Sequence, residues 1–300
     1  MITLKDNFQI NEVELCDALN CMEEAFVMYD ADGLLVFCNE AFRNLYGYTI
    51  EQTRPGTHFR EFGEIDIAYG NVVIEDEKGI DYLDRKAAYR KELKGSFTVK
   101  LQDGRWIRTT DRRTSNGGIV SVQSDVTELK ELEQLRYMAN HDALTGLPTR
   151  RLAKEKTEDA IFLAERHSWK VAFIYIDLDD FKAVNDALGH DAGDELLKQV
   201  SQRFSKCLRK TDTLARIGGD EFLVLLTEVT TANDVNKVCE SLISEASRPF
   251  TIDGQACSIG ASIGIALYPD HGADSSTVMK RADAAMYNAK QAGKNYIAMA

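Results

Sequence analysis

Two acidic segments hold most of the chemistry that this sequence can perform. In Asp177-Leu-Asp-Asp-Phe-Lys182 a carboxylate comes directly after the apolar run Val171–Ile176, and in Gly218-Gly-Asp-Glu-Phe222 an acidic pair comes after two glycines. Carboxylates on adjacent strand ends supply the hard oxygen ligands that Mg²⁺ prefers, and Mg²⁺ readily binds phosphates. Lys182 closes the first of these segments, and Lys290 and Lys294 stand in and just beyond the last turn of the final helix. Each feature taken singly has an ordinary explanation. Gly-Gly-Asp is a common polar turn, Asp194 in a first helical turn answers the helix dipole, and lysines often close a helix.

The elements around these residues must hold them together. The run Val171–Ile176 is apolar throughout, as expected of a strand buried on both faces, and its terminal carboxylate would sit at the mouth of a sheet. Leu214–Ile217 and Phe222–Leu226 read as a hairpin whose paired glycines permit positive φ and leave Asp220 and Glu221 at an open tip. Residues 188–204 enter a helix with Leu197, Val200 and Phe204 on its inner stripe, Asp191 as N-cap and Asp194 in the first turn. A last helix is expected over about Ser276–Ala292, with Ala282, Ala285 and Ala289 allowing close packing and Gly293 as its stop.

Five segments occur in order: DALTGL (142–147), YIDLDDFKAVNDALGHDAGDELL (175–197), RIGGDEFLVLL (216–226), SIGIA (262–266) and ADAAMYNAKQAGKN (282–295). Together they resemble the GGDEF diguanylate cyclase family over about residues 137–300. The resemblance implies an α+β domain with a palm-like central antiparallel sheet and flanking helices. It implies that Asp177 and Asp220, with the backbone carbonyl of Leu178, hold Mg²⁺, with Mn²⁺ as a substitute. Glu221 then lies near the metals and the reacting 3′-hydroxyl. Asn185 and Asp194 read guanine, whose N1–H and N2–H₂ donors suit a carboxylate in a way adenine does not. Phe181 belongs to the same substrate-binding group, and Lys182, Lys290 and Lys294 lie near the triphosphate. The implied reaction joins two GTP molecules into cyclic di-GMP with loss of two pyrophosphates. Each domain holds one GTP, so a homodimer is the productive unit, and misplacing two half-sites by about 1 Å can cost ~10²-fold in rate. Arg209 and Asp212, five residues before the glycine pair, match an RxxD site where cyclic di-GMP inhibits its own synthesis. Thr149 in LPTRR replaces the usual Asn, away from the metal and guanine positions. Two other classes stay open: a catalytically silent module binding GTP or cyclic di-GMP, and a nucleotidyl cyclase using another base, against which Asn185 and Asp194 argue.

At 300 residues the chain is about twice the usual single-domain length, so two domains are expected. Residues 1–125 would form a sensor or dimerisation domain, 126–140 a helical linker and 141–300 the catalytic domain. The first half begins with a helical start at Leu15–Met22. Strands come next at Ala25–Tyr29 and Leu34–Cys38, separated by Asp30-Ala-Asp-Gly33, and then an amphipathic helix with Ala41, Phe42, Leu45 and Tyr46. Residues 63–94 are charged and weakly periodic and receive no assignment. Strand-like runs at Gly95–Leu101, Arg105–Thr110 and Gly118–Gln123 complete a pattern that, with YDADGLLVFCNEAF and the exit SDVTELK, resembles a PAS domain. Its ligand is unknown. His58 is the only histidine of this half and Cys38 lies outside any photoreactive flavin signature, so sensing and ligand-free dimerisation are both open readings. In the linker Leu129, Leu132, Leu135 and Met138 recur every three residues, which makes a poor heptad; a rigid connector and a strain-transmitting helix pair both fit.

The formal charge of −12 argues against nucleic-acid binding, which needs a basic surface to release counterions. Residues 1–128 carry 23 acidic against 15 basic residues, and residues 129–300 carry 25 against 21, so the second half better suits a polyanionic ligand. Six cysteines without a CxxC pair point to buried reduced thiols. No apolar run nears the roughly 20 residues of a membrane helix, the N-terminus lacks signal-peptide character, and a cytoplasmic location is expected. Because relatives in this family often carry a phosphodiesterase domain after the cyclase domain, continuation of the natural chain beyond Ala300 stays open.

Overall fold

A computed structural model of the chain describes residues 11–74, 79–252 and 254–300, so the expectation about a signal peptide at 1–10 lies outside the described residues. Two compact units emerge, the first ending at Glu133 and the second beginning at Gln134. In the first, α1 (Glu12–Asn20) leads to β1 (Ala25–Tyr29) and β2 (Leu35–Cys38), then α2 (Glu40–Tyr46), α3 (Phe59–Ala68) and α4 (Gly79–Glu92). Three further strands, β3 (Phe97–Lys100), β4 (Trp106–Arg113) and β5 (Ile119–Asp125), complete an antiparallel sheet of order β2-β1-β5-β4-β3.

The motifs noted in sequence have local causes. The Asp30 carboxylate accepts from the N–H groups of Asp32 and Leu34 and closes the first turn. Asn39, fully buried, accepts from the Phe26 and Phe42 N–H groups and so caps α2 while pinning β1. His58 is the N-cap of α3, its Nδ1 accepting from the Arg60 N–H. Helix α4 accounts for much of the stretch left unassigned, of which residues 75–78 lie outside the described residues. Its inward positions include Lys86 and Arg90 beside Tyr82, so the apolar period that would have marked a helix is interrupted by charge.

Helix α5 (Thr127–Asn140) comes next. Its start is tied to the sheet: Thr127 donates to Asp125 Oδ1, and its hydroxyl accepts from the Trp106 N–H at 2.8 Å. The apolar row of α5 is open, with Leu129 and Leu132 each 46% exposed and Leu135 61%.

The second unit runs α6 (Arg150–His167), β6 (Lys170–Asp179), α7 (Phe181–Leu188), α8 (His190–Lys206), β7 (Thr213–Gly218), β8 (Glu221–Val229) and α9 (Ala232–Ser247). It ends with β9 (Phe250–Ile252), β10 (Gln255–Cys257), β11 (Gly260–Tyr268), α10 (Ser275–Gln291) and β12 (Ile297–Met299). The five-stranded sheet has the order β12-β11-β6-β8-β7, antiparallel except for the parallel edge pair β11–β12. Strand β6 is central and apolar on both faces: Ala172, Ile174, Ile176 and Leu178 join the core under α8 and α9, and Val171, Phe173 and Tyr175 join the core under α6 and α10.

Three expectations need correction. Asp191 is not an N-cap and Asp194 is not in the first turn, because α8 begins at His190 with Gly189 as its cap. Gly189, at φ 90°, lets α7 pass into α8 through a single residue, so the helix starts earlier than a polar cap would place it. Of the paired glycines only Gly219 has positive φ (50°); Gly218 ends β7 opposite Glu221. All six cysteines are unpaired, yet only Cys38 and Cys239 are buried, and Cys21 is exposed.

Candidate active site

Strand parity decides which side chains meet. Asp177 has the parity of Phe173 and Tyr175, so it emerges on the face covered by α6 and α10. Glu221 is its direct partner across the β6–β8 pair, and Asp220 sits in the turn beside it. The Leu178 N–H donates to the Asp220 carbonyl oxygen at 3.2 Å, fixing the hairpin tip against the end of β6, while the Leu178 side chain points into the opposite core. Helix α10 contributes Lys290, whose Nζ lies 2.7 Å from Asp177 Oδ2.

The electrostatics suit a cation. Burial pushes the Asp177 carboxyl above its ordinary value; Lys290 pulls it down, and Asp220 and Glu221 push it up again. Among the described residues the Asp220 carboxylate makes no hydrogen bond or ion pair of its own. Two carboxylates and a backbone carbonyl form an oxygen-only donor set of the kind Mg²⁺ takes, usually completed by water and phosphate. No group of three His, Cys, Asp or Glu side chains among the described residues converges on one metal position, so a cation held here would draw its remaining ligands from backbone, water or substrate oxygens.

Lys294 approaches from the loop after α10 and pairs with Asp180 at 2.6 Å. That loop is anchored by Asp179, 4% exposed, which accepts from the Asn295 N–H and from the Ser262 hydroxyl, each at 2.7 Å. Asn185 and Phe181 lie together on α7 against Gly193 of α8, where a methyl group would overlap Asn185 Oδ1. Asn185 Oδ1 is itself buried without a hydrogen-bond partner among the described residues. Asp194 lies next to Gly193 on α8 and is exposed, as is Lys182, which makes no ion pair among the described residues. Arg209 and Asp212 lie apart from these groups, lining a hollow with Leu226–Thr230 at the other end of β8 from Glu221. The Arg209 N–H donates to Asp212 Oδ2 at 2.9 Å.

Two residues with a structural hold on the site were not singled out in sequence. Arg216 donates from Nη1 to Asp142 Oδ1 at 3.0 Å and from Nε to the Gly219 carbonyl oxygen at 2.9 Å, bracing the glycine turn against the DALTGL loop. Both residues stand inside quoted motifs, but no local pattern announces a contact spanning 74 positions. Arg150 of α6 comes within 3.9 Å of Glu221 and borders a groove of about 650 Å³ with Arg151, Lys154 and Lys280, a cationic surface beside the carboxylates.

Comparison with known proteins identifies both halves of the chain. The model described as "Diguanylate cyclase, GGDEF domain" matches residues 139–296, and a PAS-fold model matches residues 19–134. MucR of Pseudomonas aeruginosa, a bifunctional diguanylate cyclase/cyclic di-GMP phosphodiesterase, is 47% identical over 162 residues, covering 54% of this chain and 24% of MucR. PdeR of Escherichia coli, a cyclic di-GMP phosphodiesterase, is 42% identical over 177 residues, 59% of this chain and 26% of PdeR. The chain thus spans about a quarter of the length of these curated relatives. The crystal structure of the coiled coil and GGDEF domain of DgcB from Caulobacter crescentus, in complex with c-di-GMP, superposes with a TM-score of 0.54. It is 30% identical and covers 58% of this chain and 93% of that one. The family match takes in more than half of the 300 residues and every element that carries the carboxylates, and the chain belongs to the GGDEF diguanylate cyclase family.

Proposed function

We propose that the chain condenses two GTP molecules into cyclic di-GMP, each domain of a homodimer presenting one GTP to the other. The observation that carries this reading is the in-register pair Asp177–Glu221 at the open end of the sheet, with Asp220 in the adjoining turn and Lys290 at 2.7 Å from Asp177. Asp177, Asp220 and the Leu178 carbonyl would hold Mg²⁺. The metal, when bound, lowers the pKa of a hydroxyl and offsets charge on phosphate oxygens. Asn185 and Asp194 accept from the guanine edge and Phe181 packs beside them. Lys182, Lys290 and Lys294 orient the triphosphate for in-line attack. In each half-reaction a bond forms between the 3′-oxygen of one GTP and the α-phosphorus of the other, the bond to pyrophosphate breaks, and Glu221 takes the hydroxyl proton. The open apolar row of α5 and the coiled coil named in the DgcB structure support a dimer built through this helix, whose position the PAS domain would control. Arg209 and Asp212 would bind the product and restrain the enzyme. A cytoplasmic setting, where GTP is available, goes with this reading.

A second reading has one specific support: PdeR, at 42% identity, is named for phosphodiesterase activity, so this domain would bind GTP or cyclic di-GMP without turnover. Incubation of the purified chain with GTP and Mg²⁺, beside Asp220→Ala, separates the two. Cyclic di-GMP from the parent and none from the variant is expected. GTP binding without product in the parent would overturn the cyclase reading in favour of the second.

A further inference from the structure

The core face of the first unit's sheet is not uniformly apolar. Cross-strand partners share a face, and the register pairs Thr109 with Gln123 and Asp111 with Ser121, beside Val27 and Ile107 of the hydrophobic core. Asp111, Ser121 and Gln123 are 1%, 0% and 5% exposed, and Arg90, reaching over from α4, is 5% exposed. Arg90 Nε lies 3.5 Å from Asp111 Oδ2, and its guanidinium is held between the rings of Tyr29 and Phe59 at 4.5 and 4.4 Å. A turn earlier on α4, Lys86 lies 3.7 Å from the fully buried carboxylate of Asp66.

These groups are under-satisfied in a particular way. Arg90 Nη1, both oxygens of Asp111, Ser121 Oγ and Gln123 Oε1 are all buried without a hydrogen-bond partner among the described residues. Buried polar atoms of native proteins are otherwise almost always paired, so five orphans in one connected patch point to a partner that the chain does not itself supply. The orphans are complementary in sign: a guanidinium donor at one side, carboxylate and amide acceptors at the other, and a hydroxyl that serves either.

We infer that this patch binds a small zwitterion carrying an ammonium and a carboxylate, that is, a free amino acid, with the carboxylate on Arg90 and the ammonium on Asp111 and Gln123. The four charged side chains balance, two cations against two anions, so a simple anion or a simple cation gains little net attraction. An amine alone would leave Arg90 Nη1 without a hydrogen bond, and a carboxylate alone would leave the Asp111 oxygens without one; a ligand bearing both groups satisfies both. Of these residues Gln123 also borders a groove of about 530 Å³, together with Ala25. Occupancy would add hydrogen bonds on β4 and β5, the two strands tied to the start of α5 through Asp125 and Thr127, so binding is coupled to the linker helix.

The test titrates the full chain by calorimetry and thermal unfolding with the common L-amino acids, with propionate and ethylamine as the single-charge probes. Saturable binding of at least one amino acid, one per chain, with a rise in unfolding temperature, is expected. The single-charge probes should bind about ten-fold more weakly or worse. Asp111→Asn and Arg90→Gln should each weaken the amino acid by about ten-fold or more, and Ser121→Ala, which removes only an unpaired hydroxyl, by about five-fold with the fold retained. Absence of binding to the parent would overturn the proposal and assign these polar atoms to buried water. Equal affinity for a single-charge probe, or unchanged affinity in both Ser121→Ala and Asp111→Asn, would overturn it as well.

Discussion

Lys290 Nζ stands 2.7 Å from Asp177 Oδ2, which ties the last turn of α10 to the end of the central strand. In the proposed cyclase reading the same ammonium would turn from this carboxylate to phosphate oxygens when a cation is bound beside Asp177. Lys290→Ala should therefore raise the KM for GTP by about ten-fold or more, the worth of a charge-assisted hydrogen bond, while Lys290→Arg retains much of the parent affinity. Steady-state kinetics across GTP concentration reads both.

The brace between Asp142 and Arg216 makes a pH-dependent contribution. Burial raises the Asp142 carboxyl, but hydrogen bonds from Thr145 and Arg216 outweigh it, and the net direction is below the ordinary 3.8. A carboxyl depressed on folding stabilises the native state above its unfolded value and loses that contribution as pH falls through its folded value. Asp142→Asn should cost about 1–3 kcal/mol at neutral pH. The difference from the parent should shrink below pH 3.8 in denaturant titrations of the two proteins. A difference constant down to lower pH would exclude this carboxylate as its source.

Gly193 makes room for Asn185. A Cβ at Gly193 would overlap Asn185 Oδ1, the movable end of a side chain, so Gly193→Ala should displace the side chain at modest cost in stability. The expected result is a loss in kcat/KM for GTP of about ten-fold or more, similar to Asn185→Ala, since each would remove the hydrogen bond proposed between Asn185 and the base. Activity unchanged in Gly193→Ala would remove Asn185 from the guanine site.

Arg209 lies apart from the carboxylates, and its guanidinium makes no ion pair among the described residues. Arg209→Ala should leave the initial rate unchanged and abolish the slowing of the reaction as product accumulates, because the positive charge proposed to bind product phosphates is gone. Progress curves with and without added cyclic di-GMP decide it.

Much of the catalytic half was legible because its signals are local. A continuous apolar run ending in aspartate, two glycines before an acidic pair, and a small-residue helix stopped by glycine each constrain a few neighbouring residues. The start of α8 was misread because a single positive-φ glycine, Gly189, passes one helix into the next, and no polar cap marks the boundary. The stretch that became α4 stayed unassigned because its inward positions include half-buried Lys86 and buried Arg90, which break the hydrophobic period that a helix otherwise shows.

The sequence by itself named the candidates: Asp177, Asp220 and Glu221 by type and spacing, and Asn185, Asp194 and the lysines through the resemblance to the GGDEF family. Only the tertiary structure decided which of them meet. Strand parity and the β6–β8 register bring Asp177 against Glu221, α10 delivers Lys290, and the Arg216 brace joins a loop to a hairpin 74 positions away. The buried Arg90–Asp111 pair is likewise invisible until α4 lies across the sheet. The reason is physical: local propensity and periodicity are properties of contiguous residues, whereas the close approach of charges is set by how packed elements fill a core.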